Sequence, residues 1–139
     1  MNIGNPSVPD LLRRFVPTPH ISSFCIGGTR VRLKTNDLIL ATTIRGMTTG
    51  CESENKGEVS HWKLIRDEQA PRGGREVTVL SSEPTGTLLL GLGTVIAVDR
   101  ERREVMGFIA PDISGEELVA IVLPILLKLL RATRNTLRQ

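Results

Sequence analysis

The sequence predicts an α+β domain, an antiparallel sheet of about five to six strands with one helix in the N-terminal half and a long apolar C-terminal helix packed on it. Three observations predict it. Several short runs alternate apolar with polar residues and are joined by tight glycine- or proline-bearing turns, which is the pattern of half-buried strands. Two β-rich runs, Thr87–Val98 and Val105–Ala110, flank six charged residues, Asp99–Glu104, that belong in solvent, so the pair reads as a hairpin. From Leu118 to Leu130, eleven of thirteen residues are Leu, Ile, Val or Ala, and a helix that apolar needs a surface to cover.

In chain order, residues 1–19 form an arm with four prolines, Pro6, Pro9, Pro17 and Pro19, ahead of a single domain, 20–139. His20–Ile26 and Thr29–Lys34 flank Gly27-Gly28, the kind of two-residue connection a tight hairpin favours. Val31 and Leu33 alternate with Arg30, Arg32 and Lys34, giving one buried and one solvated face. Thr35 or Asn36 then offers a helix N-cap, with Asp37 in the first turn, where a carboxylate suits the positive dipole end. Leu38, Ile39, Ala41 and Thr42 supply the apolar stripe of this helix and Gly46 its stop, followed by a loop from Thr48 to Gly57.

Val59–Arg66 alternates again, and Trp62 with Leu64 marks the face shared by Ser60 and Arg66 as the core side. Arg75–Leu80 is a short strand and Ser81–Gly86 a turn before the central hairpin. Ser114 is placed as N-cap of the last helix, with Glu117 at the reciprocal capping position. Pro124 removes a backbone donor and is expected to kink that helix near Val122 or Leu123.

At 139 residues, 40% hydrophobic and 24% charged, the chain suits one folded domain and excludes wholesale disorder. Three Phe, one Trp and no Tyr leave little for a base-stacking platform. The net charge of +3 is small, and a basic tail (Lys128, Arg131, Arg134, Arg138) carries much of it, so no nucleic-acid partner is expected. The longest apolar run, Leu118–Leu127, is too short for a transmembrane segment, and Met1–Pro9 lacks the layout of a signal peptide. Cys25 and Cys51 have no CxxC spacing and read as two free thiols, which points to a reducing, cytoplasmic setting; no metal site and no cofactor are expected.

The glycine-rich stretch Gly86–Thr94 fails as a phosphate loop, because Leu92 and Gly93 stand where a lysine and a hydroxyl residue are required. Gly91-Leu92-Gly93 lacks the third glycine of a dinucleotide fingerprint, so a bulge or close backbone approach explains it better. Asp99, Glu101 and Glu104 alternate with Arg100, Arg102 and Arg103, which neutralise any metal site and make a solvated turn the better reading. No serine sits in a nucleophile elbow and neither histidine has a recognisable acid partner, so no catalytic residue is assigned.

The segment Arg32-Leu33-Lys34-Thr35-Asn36-Asp37 leads into a helix. It is followed later by Gly93–Asp99 with Arg103–Ile109, and then by Leu123-Pro124-Ile125-Leu126-Leu127 in the last helix. This order resembles the region that precedes the nucleotide-binding domain in proteins related to HPr serine kinase, over about residues 24–131. In such proteins the final helix feeds into a strand and a phosphate loop, which does not follow here. The resemblance implies an accessory domain, stand-alone or truncated, partnering a kinase-like or peptide-modifying protein, and carries over no catalytic residue.

Two functional readings result. In the first, a non-enzymatic domain associates with itself or with a partner protein through the apolar helix face of Leu118, Ile121, Val122, Ile125, Leu126 and Leu129. In the second, a small-molecule-binding or catalytic domain has its pocket near His61, Trp62 and the Gly91/Gly93 bend.

Overall fold

The computed structural model describes residues 16–26, 29–47 and 59–131. Seven strands form one mixed sheet: β1 (His20–Ile26), β2 (Thr29–Thr35), β3 (Val59–Arg66), β4 (Val77–Ser82), β5 (Thr85–Leu90), β6 (Thr94–Asp99) and β7 (Glu104–Ile109). Their order is β1-β2-β3-β7-β6-β5-β4. The class is α+β as expected, but the sheet is larger than expected and is not purely antiparallel: β2 and β3 run parallel, as do β3 and β7. The reason for the first is the helix α1 (Leu38–Met47), which returns the chain to the end of the sheet from which β2 began, so β3 must run alongside it. The β4-β5-β6 meander does the same between β3 and β7.

The extra strand comes from the glycine stretch. Thr87–Val98 is not one strand but the hairpin β5–β6, turned at Gly91-Leu92-Gly93. Gly91 has φ +63°, and a Cβ there would meet the Gly74 carbonyl oxygen at 2.5 Å. A Cβ on Gly93 would collide with the Pro71 carbonyl oxygen. The glycines let the 71–74 loop pass against the turn, the close backbone approach expected of them.

The N-terminal helix is capped by Asp37 itself, whose Oδ1 accepts from the N–H groups of Ile39 (3.0 Å) and Leu40 (3.2 Å). That start sets the phase so that Leu40, Ala41 and Ile44 face the sheet, while Leu38 and Ile39 of the expected stripe point outward. The C-terminal helix runs as α2 (Gly115–Glu117), a π-helical turn (Leu118–Val122) and α3 (Leu123–Arg131). Its capping box is present: Ser114 Oγ accepts from Glu117 N–H, and Glu117 Oε1 accepts from Ser114 N–H, both at 3.0 Å. The wide π turn, in which Leu123 N–H reaches Leu118 O, lies directly before Pro124. A wider turn relieves the proline ring's clash with the preceding carbonyl, so the expected kink is realised as a π bulge.

All helices lie on one face, α1 over β1 and β2, α3 over β5 and β6. The core rows follow from strand register, with Leu33, Trp62, Val105 and Val98 side by side in one and Leu64, Gly107, Ile96 and Leu88 in the next. Cys25 on β1 is disulfide-bonded, which overturns the expectation of free thiols and the compartment argument built on it. Cys51, the proline arm up to Phe15 and the Gly27-Gly28 turn lie outside the described residues. Among the described residues no helix is long and apolar enough to cross a membrane.

Candidate functional site

Because helices cover one face only, the other face of the sheet is laid out by strand register alone. On β2, Arg30, Arg32 and Lys34 point to it, and on β3, His61 and Lys63 do so, since successive residues of a strand alternate sides. The parallel register sets Arg32 beside His61 and Lys34 beside Lys63. Next on the same rows come Glu104 and Met106 of β7, then Asp99 and Ala97 of β6. A further row holds Ile65, which is buried, then Phe108, Val95 and Leu89. Val95 and Met106 are 44% and 38% exposed, large values for sheet-centre apolar side chains.

The face is therefore segregated, cations on β2–β3 and apolar side chains on β7–β6–β5. Where the two meet, a trough of about 220 Å³ is lined by Arg32, Lys34, His61, Lys63, Glu104 and Met106. Arg32, Lys34, His61 and Lys63 form no side-chain hydrogen bond or ion pair among the described residues. Like charges on directly opposite strand positions repel, so this arrangement works against the stability of the free chain.

Of the residues that sequence reasoning singled out, His61 stands on this face and Trp62 does not. The Trp62 ring is 1% exposed, packs edge-on to Phe24 at 6.3 Å, and donates its indole N–H to Ser60 Oγ at 2.8 Å. It borders the trough with its backbone. Gly91 and Gly93 lie at the other end of the β7 strand, roughly 20 Å away at 3.3 Å per residue, so the two halves of the expected pocket are not brought together. Leu118, Val122, Leu126 and Leu129 of the helix face are packed into the chain's own core, whereas Ile121 and Ile125 keep part of their surface exposed.

A second concavity, of about 830 Å³, opens at the carboxyl ends of β2, β3 and β7. Such crevices are common ligand sites in parallel sheets. Here its centre is taken by a clasp. Arg66 donates from Nε to Asp37 Oδ2 at 2.9 Å and from Nη1 to the carbonyls of Ala110 and Ile113. Asn36 grips the Arg66 backbone on both sides, accepting from its N–H at 2.7 Å and donating to its carbonyl at 3.0 Å. The lining contains no His or Cys, and its one serine, Ser114, is engaged in the helix cap. The arrangement fastens α1 to the ends of β3 and β7.

Burial pushes the Asp37 carboxyl up, but the Arg66 hydrogen bond and the Leu40 and Ile39 N–H groups outweigh it and hold the group below its ordinary value. The Gly73 N–H lowers Asp112, and the Arg75 guanidinium lowers Glu117, in a surface cluster that ties the 71–75 loop to the last helix. A carboxyl lowered in the folded state contributes stability that is present above its unfolded value and lost as pH falls through the folded one. Thermal melts are thus expected to stay level down to about pH 5 and to drop through about pH 4 and below. Asp37→Asn should flatten that slope, and an identical slope in the variant would exclude the clasp as a source of it.

Among the described residues no group of three or more His, Cys, Asp or Glu side chains is placed to hold a metal ion. No family model, curated protein or solved structure matches the chain.

Proposed function

We propose that this domain is a non-enzymatic interaction module that docks a partner protein on the uncovered face of its sheet. The observation that carries it is the segregated surface just described, with Arg32, Lys34 and Lys63, unpaired among the described residues, beside exposed Met106 and Val95 at the centre of a sheet. Exposed apolar surface rimmed by charge marks association sites, and repulsion among neighbouring cations is relieved when a partner binds. The docking surface thus moves from the helix face to the opposite side of the sheet. By its resemblance to the region before the nucleotide-binding domain of HPr serine kinase relatives, the partner is a kinase-like or peptide-modifying protein.

The small-molecule alternative near His61 has less support. The trough is smaller than the roughly 300–1,000 Å³ of ordinary ligand pockets, and the indole of Trp62 faces away from it.

The test is a Val95→Lys, Met106→Glu double variant, tagged and recovered from the cells that make the protein. Both positions are exposed, so melting is expected to shift little, by about 0.5 kcal/mol or less per site. Proteins enriched with the wild type should be lost with the variant and should bind the purified wild-type chain directly. Equal enrichment by both, or none by the wild type, sinks the reading.

A further inference from the structure

We infer that the docked segment is a short extended peptide with an acidic end and an apolar end, lying across the strands rather than along them. The inference rests on the open-face reading and specifies its partner by charge. Along one strand the exposed side chains of β2 are all cationic and those of β6 and β7 are mainly apolar, so a peptide parallel to the strands would meet one chemistry only. Crossing from β2 to β6 it meets Lys34, Lys63, Met106 and Ala97 in succession, with Arg32 and His61 flanking the first half and Phe108 and Val95 the second.

Three strand spacings are roughly 15 Å, the length of about five extended residues. Carboxylates at one end would sit among four cationic or protonatable side chains that have no partner among the described residues. Apolar side chains at the other end would cover Met106 and Val95. Glu104 and Asp99 stand beside the apolar half and repel carboxylates from it, which fixes the direction in which the segment lies.

A nucleic acid presents the same negative charge, but this face suits it less. Its ring Phe108 is half-buried, Trp62 is enclosed in the core, and Glu104 and Asp99 interrupt the positive field.

The experiment uses the full chain and fluorescein-labelled peptides of about ten residues, read by fluorescence anisotropy. One peptide has a block of glutamates followed by a block of leucines and valines, one has lysines in place of the glutamates, and one has the first composition scrambled. A single-stranded oligonucleotide is the fourth probe. The acidic-block peptide is expected to bind, to weaken as salt is raised, and to lose about tenfold in affinity in Lys34→Glu/Lys63→Glu, with the lysine peptide not binding and the scrambled one binding less tightly. Lys34→Gln/Lys63→Gln should show an intermediate loss, and its melting temperature should hold or rise because a like-charge pair is gone. That rise separates lost binding from lost folding.

No binding of the acidic-block peptide, equal binding of the scrambled one, or equally tight competing binding of the oligonucleotide overturns the inference. Binding that ignores the lysine substitutions but is abolished by Val95→Lys/Met106→Glu also overturns it while leaving the open-face reading in place. Binding that ignores both sets removes both.

Discussion

Trp62→Ala is expected to destabilise the domain by about 3–5 kcal/mol, the range for removing a large buried aromatic. The ring is enclosed between Leu33 and Val105 on its own row of the sheet and meets Phe24 edge to face at an interplanar angle of 84°. Its N–H is satisfied by Ser60, whose own hydroxyl donates to the Arg103 carbonyl at 3.0 Å, so the indole also anchors the β6–β7 turn. Alanine leaves a cavity and strips Ser60 of a donor. Set against a total of about 5–15 kcal/mol for an ordinary domain, the loss is a large share, and a urea titration measures it. Trp62→Phe keeps most of the volume and loses only the hydrogen bond, so it should cost about 1–2 kcal/mol. A small effect of both would show that the ring is not a core anchor.

That role was half legible in the sequence. Alternation along Val59–Arg66 identified the buried face, with Trp62 and Leu64 on it, because one strand's period carries that information. The same reasoning put His61 and Trp62 in one pocket; both border the trough, but alternation turns the Trp62 ring to the other side of the sheet. The capping box at Ser114–Glu117 and the disturbance at Pro124 were readable because both are local, each set by residues within one turn. The phase of α1 was not, since Asp37 rather than Thr35 or Asn36 caps it, and moving the cap rotates the stripe from Leu38 and Ile39 to Leu40 and Ile44.

Strand adjacency was the larger gap. Arg30, Arg32 and Lys34 were assigned to a solvated face from sequence, whereas the exposure of Val95 and Met106 was not, since both stand in runs that are apolar on either side. Nothing local says that β2 lies beside β3 and β3 beside β7, because those pairings depend on how α1 and the β4–β6 meander return the chain. The candidate docking surface exists only in that adjacency. Lys34 meets Lys63, and Lys63 meets Met106, through pairings between strands distant in sequence. The helix of 118–130, conspicuous in the sequence, turned instead into core, which is the ordinary fate of an apolar stripe beside an unpaired sheet face.

Arg66→Met is expected to cost about 2–3 kcal/mol. Breaking a fully buried ion pair costs about 3–5 kcal/mol because the surviving charge is stranded; here Asp37 retains 19% of its side-chain surface in solvent, which reduces the penalty. The loss has three parts: Asp37 without its guanidinium, the Ala110 carbonyl left with the Ile113 N–H alone, and the Ile113 carbonyl without the Arg66 donor. Methionine keeps the apolar stem packed, so the measurement isolates the head group. Asp37→Asn, which keeps an acceptor for the Ile39 and Leu40 N–H groups, should cost less, and the double variant should cost less than the sum, since each single change already breaks the pair. Additive losses would mean that the two side chains act separately and that no clasp exists. The clasp fastens strand ends and α1 on the helix-bearing side of the sheet, whereas Lys34 and Lys63, three positions earlier on β2 and β3, stand on the open face. Arg66→Met should therefore lower the melting temperature while leaving the affinity of the folded protein for an acidic-block peptide unchanged, which separates the part of the sequence that holds the sheet from the part that the sheet displays.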